Sequence, residues 1–211
     1  MSVKVILALI LNVCIVLLTI NAFILFRGNQ EEMHPGKSRF HFFIYFTSDS
    51  NVLNGLCSLI LIPFLLMILM GKCTLIPLCV YVLHYIGTCA VMVTLATVLI
   101  FLGPVAGYKK MYTGSDLYLH LICPLLALIS CIILAPDYVA VLPFYITLLG
   151  IIPTVIYGLV YITLVLLIGP DRGGWEDFYT FNRGGKWYIS ATLMVAGSYL
   201  ISLGIYFLGR I

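Results

Sequence analysis

Six apolar stretches, each about twenty residues or longer, take up most of the chain. A helix needs roughly 20 residues to cross the hydrocarbon core of a bilayer, so little sequence remains for any soluble part. The stretches cover about 3–26, 42–70, 75–102, 116–134, 141–168 and 188–208. They predict an all-α fold, an integral membrane bundle of six transmembrane helices forming one domain over 1–211. Composition excludes a water-soluble alternative. Of 211 residues, 63% are apolar or aromatic and 9% are charged, and the mean hydropathy is +1.15. A soluble domain carries about a quarter charged residues to cover its wet surface. Helices are expected because separate strands would leave backbone groups unpaired in lipid, and the alternation of a membrane barrel is absent.

The first stretch is longer than a signal-peptide apolar region, and no small-x-small cleavage signal clearly ends it. It reads as the first span. Six spans put both termini on one side, with the turns near Lys72 and Asp137. That side carries Lys4, Lys72 and Arg210. The other carries Arg27, Lys37, Arg39, Lys109, Lys110, Arg172, Arg183 and Lys186. Basic loops are retained in the cytoplasm, so the termini are expected outside, in what reads as a bacterial cell membrane. A net charge of +3 confined to loops gives no footprint for nucleic acid.

The seven cysteines (Cys14, Cys57, Cys73, Cys79, Cys89, Cys123 and Cys131) are odd in number, form no CxxC pair and mostly lie in apolar runs. They read as small buried residues, with neither a disulfide framework nor a metal site. No nucleotide motif, redox pair or metal cluster occurs, so no cofactor is expected.

Polar residues inside spans are costly and mark candidate sites. The densest group is Thr47-Ser48-Asp49-Ser50-Asn51, at the start of the second span. Thr47, Asn51, Asn54 and Ser58 follow one another at i, i+4, i+7 and i+11, on one helical face. Such a stripe should face the bundle interior or a wet cavity. Single hydroxyls commonly satisfy their own helix or a neighbouring one, but five consecutive polar residues including a carboxylate exceed that need. His120 lies in the fourth span, four residues after Asp116. It is expected at the depth of Thr47, roughly 6–10 Å below the same surface by helical rise. Pro124 frees the His120 carbonyl from its helical partner. His84, flanked by Tyr81 and Tyr85 near the midplane, reads first as a packed, hydrogen-bonded group. His34 and His41 fall in or beside a loop. The last loop, from Gly169, holds Trp175 and Tyr179 and reads as an interfacial anchor or as a lid over the cavity.

Phe46-Thr47 with Asn51, His120 with Pro124, Pro153 with Tyr157, and the glycine-tryptophan loop occur here in that order. Together they resemble the androgen-induced-gene family of six-span membrane proteins and its bacterial relatives. The resemblance implies a threonine hydrolase that cleaves fatty acid esters of hydroxy fatty acids, with Thr47 as nucleophile and His120 as its base. Trp175-Glu176-Asp177-Phe178-Tyr179 stands where bacterial relatives carry a different aromatic motif. On this reading Asn51 is the candidate oxyanion donor. Asp49 or Asp116 would orient the imidazole, and Asn54, Tyr157, Trp175 and Tyr179 would line or cover the cavity. The expected partners are an amphiphilic lipid ester or fatty acid and the bilayer lipids. The rival readings are a small-molecule-binding subunit of a transporter, with no covalent chemistry, and a structural membrane protein held together by its polar residues.

Overall fold

The computed structural model describes residues 3–33 and 41–211. His34, Lys37 and Arg39 of the first loop lie outside the described residues. Among the described residues there is no strand, and six helices are long and apolar enough to cross a membrane. The protein is an all-α, multi-pass membrane bundle. We number its helices α1 (Val3–Met33, apolar to Phe26), α2 (Phe46–Leu69), α3 (Leu78–Ala106), α4 (Ser115–Asp137), α5 (Ile146–Ile168) and α6 (Trp187–Leu208).

The helix ends follow local chemistry. The second span starts at Phe46, four residues later than its apolar run. His41–Ile44 forms a separate 3-10 turn, and Tyr45 is extended at φ −101° and ψ 131°. The third starts after Pro77, whose extended backbone precedes Leu78. The fifth starts at Ile146, because residues 138–145 are spent on turns. Gly169, at φ +73°, closes it in a conformation that a side chain would resist.

Helices α1, α2, α3 and α4 form a closed four-helix ring, with α5 and α6 packed on the α3 side. Gly150, at the break in α5, makes the second packing possible. A Cβ there would collide with Ser202 Oγ on α6 and with Cys89 Sγ on α3. Neighbours in the ring run antiparallel in one register. Ser50 of α2 meets Thr94 of α3 at 2.8 Å, and Asn54 lies against Gly87. His84 of α3 meets Ser130 of α4 at 3.1 Å, and Asn12 of α1 meets the same Ser130 at 2.7 Å.

The two ends of the bundle differ. At the end with the termini, Lys4 pairs with Asp137. Arg210 stacks on the Tyr206 ring and donates to the Leu142 carbonyl. Above them an apolar core of Val5, Ala8, Leu61, Leu65, Tyr81 and Leu134 fills the ring. The opposite end carries the longer loops, a second aromatic cluster and the polar start of α2.

Candidate active site

Thr47 is the second residue of α2, at the mouth of the ring. His120 lies in a π-helical stretch of α4, Tyr118–Ile122, just before Pro124. Proline offers no N–H, so the ladder widens and the Cys123 N–H reaches back five residues to the Tyr118 carbonyl. The result is a buried imidazole facing α2. His120 Nε2 stands 3.5 Å from Thr47 Oγ1.

The second ring nitrogen sets the chemistry of the first. His120 Nδ1 lies 2.8 Å from the Met111 carbonyl, in the short loop before α4. A carbonyl only accepts, so Nδ1 carries the proton and Nε2 presents its lone pair to the threonine hydroxyl. This replaces the expected orienting carboxylate. Asp116 is in electrostatic contact with His120 and Lys110, and Asp49 with Tyr157 and Tyr179. Neither hydrogen-bonds the imidazole among the described residues.

Asn51 is fully buried one turn below Thr47. Its amide donates to the Thr47 carbonyl at 2.8 Å and to the Leu119 carbonyl at 3.0 Å. Two carbonyls at that atom require nitrogen there, so both amide hydrogens are used. Asn51 thus ties the residue carrying the hydroxyl to the residue preceding the imidazole. The expected oxyanion donor is, in this arrangement, a brace. Asn54 is also fully buried, deeper in the ring against α3, and lines no part of the mouth.

The last loop closes over this end through a single carboxylate. Asp177 accepts from the Tyr161 hydroxyl at 2.9 Å, the Phe181 N–H at 2.7 Å and the Asn182 N–H at 2.8 Å. So held, Tyr179 accepts from the Phe46 N–H at 3.2 Å, next to Thr47. Burial pushes the Tyr179 phenol up to about 12, so it stays neutral at ordinary pH. Tyr157 of α5 donates to the Ile44 carbonyl at 2.7 Å, and its ring packs on Phe46 at 5.1 Å. Trp175 packs against Tyr157 at a tilt and against Tyr161 edge-on. The aromatics are an inner packing layer that anchors the start of α2, with Trp175 and Tyr179 half-buried.

Two features carry no clear sequence signal. The Met111 carbonyl is one, since any residue supplies a carbonyl. The other is the Asn12–Ser130–His84 chain at mid-bundle, where all three side chains are fully buried. Asn12 and Ser130 are single polar residues in apolar runs. Compared with known proteins, the chain matches no family model, no curated protein and no solved structure.

Proposed function

We propose that the protein is an intramembrane lipid-ester hydrolase in which Thr47 is the nucleophile and His120 its general base. The observation that carries this reading is the pairing of Thr47 Oγ1 with an imidazole nitrogen whose lone pair is aimed at it by the Met111 carbonyl. A threonine hydroxyl is a weak nucleophile and needs such a base within reach. The 3.5 Å separation is loose, as catalytic contacts often are before substrate binds.

In the first step Oγ1 attacks the ester carbonyl while His120 Nε2 takes its proton. The tetrahedral intermediate collapses, the proton passes to the leaving alcohol, and an acyl-threonine remains. Water then releases the acid. The oxyanion forms at the N-terminal end of α2, where the helix dipole favours negative charge. Met111 plays the part that a carboxylate plays in a serine triad, holding tautomer and ring orientation. The site's place at the end of a span suits an amphiphilic ester with its chains in lipid and its ester at the interface. Fatty acid esters of hydroxy fatty acids have that form, and the motif resemblance to bacterial-type members of the androgen-induced-gene family points the same way. The eight-to-three division of basic residues supports an orientation with the loop end, and hence the site, facing the cytoplasm.

The test is turnover of a fatty acid ester of a hydroxy fatty acid by purified protein in detergent. Thr47→Ala and His120→Ala are each expected to abolish hydrolysis. The double variant should be little worse than either, because the two groups act as one unit. Wild-type turnover by folded Thr47→Ala would refute the reading.

A further inference from the structure

Below the Thr47–His120 pair, the inner face of α2 is polar to about its middle, while Ile15, Val91 and Ala127 of the other three ring helices form a buried apolar cluster. Ser50 and Thr94 close on each other at the level of His120. Next come Asn51 and Asn54, then Ser58, which the α2–α3 register sets at the level of His84, where Ser130 and Asn12 meet. From Thr47 to Ser58 is about 16 Å by helical rise. Six atoms of this tract have no hydrogen-bond partner within the protein among the described residues: Asn51 Oδ1, both polar atoms of Asn54, Ser58 Oγ, His84 Nδ1 and Asn12 Oδ1. Every one of these side chains is fully buried.

A buried polar group left unpaired costs about 1–3 kcal/mol, and six aligned along one interior point to a ligand that both donates and accepts. The tract holds no Lys, Arg, Asp or Glu between Asp49 and the Lys4–Asp137 pair, so its ligand is neutral. Beyond Asn12 the ring is filled by Leu61, Leu65, Ala8 and Val5, so the tract ends blind at that depth. We propose that it is a water-binding column, and that it supplies the water that hydrolyses the acyl-threonine. This rests on the hydrolase reading above. The acyl chain reaches the site from lipid and covers the outer face, beside Phe46 and Tyr157. The inner face, beginning at Ser50 and Asn51, is where the column meets the site.

In the step itself, water oxygen attacks the acyl carbonyl carbon while His120 Nε2 takes one water proton. The carbon–Oγ1 bond then breaks, the proton returns to Thr47 Oγ1, and the free acid leaves. Asn54→Leu, which removes both polar atoms at similar volume, should therefore leave acylation intact and slow deacylation.

The test follows a chromogenic p-nitrophenyl fatty acyl ester by pre-steady-state kinetics, with intact-protein mass spectrometry of the acylated species. In Asn54→Leu, a burst of about one equivalent, accumulated acyl-enzyme and steady-state turnover lowered about tenfold or more are expected. The milder Ser58→Ala should shift the same quantities in the same direction, and it decides the matter where Asn54→Leu does not fold. Wild-type steady-state turnover, or an equal fall in acylation and deacylation, would overturn the water column and leave the hydrolase standing. A wild-type protein that forms no acyl-threonine would overturn the hydrolase reading itself.

Discussion

Two hydroxyl–imidazole pairs occupy the same four-helix ring, and distance alone favours the pair that is not proposed as catalytic. Ser130 and His84 stand 3.1 Å apart, Thr47 and His120 3.5 Å. The closer pair lies at mid-bundle, away from the loops. Ser130 and His84 are fully buried, and the serine oxygen already accepts from Asn12. Ser130 Oγ also meets His84 Nε2, and His84 Nδ1 has no partner within the protein among the described residues. At the mouth the imidazole is held at both nitrogens. The Met111 carbonyl holds Nδ1–H, the Nε2 lone pair faces the hydroxyl, and Thr47 is only half-buried beside the loops. Access and a firmly held imidazole distinguish the two pairs more sharply than a few tenths of an ångström do.

The widest separation should come from exchanging the alanine substitutions. Thr47→Ala is expected to lower ester turnover on the order of 10³-fold or more, with little change in melting temperature. Ser130→Ala should do the opposite. It strands His84 Nε2 and one Asn12 hydrogen at about 1–3 kcal/mol for each group, lowering the melting temperature while folded protein turns over near the wild-type rate. Parallel thermal melts and turnover rates in the same detergent check both halves.

Asn51→Ala sharpens the account of the mouth, because it cuts both ties from α2. Loss of turnover of about 10- to 100-fold together with a lower melting temperature is expected, since the Thr47–Leu119 brace goes. A fall in rate with no change in stability would instead favour a direct role at the oxyanion.

Much of this geometry was legible in the chain, and the remainder was not for identifiable reasons. Apolar run length is a direct consequence of bilayer thickness, so the six spans can be read from hydropathy alone. Helical periodicity sets Thr47, Asn51, Asn54 and Ser58 on one face, and distance from the loops puts Thr47 and His120 at one end. Periodicity says nothing about which partner a side chain takes across the ring. Asn51 therefore reads equally as donor to an oxyanion or as brace, and Asp49 and Asp116 compete with a backbone carbonyl that leaves no mark in sequence. Asn12 and Ser130 are conspicuous only once folded, each a lone polar residue whose partner is more than a hundred positions away in one case.

Asp177→Asn should have a smaller effect, about tenfold or less on turnover, by loosening the loop that holds Tyr179 on the Phe46 N–H. Limited proteolysis of the loop should rise in parallel. Asp116→Asn should be smallest, within about threefold, because Met111 orients the imidazole and the carboxylate contributes only at a distance. A large loss there would return the orienting role to Asp116.

The most direct measurement is covalent labelling of purified wild-type protein with a fluorophosphonate hydrolase probe, followed by peptide mapping of the adduct. The account predicts a single modified residue, Thr47, with labelling lost in His120→Ala and kept in Ser130→Ala. An adduct on Ser130, or none on Thr47 in active protein, would contradict it.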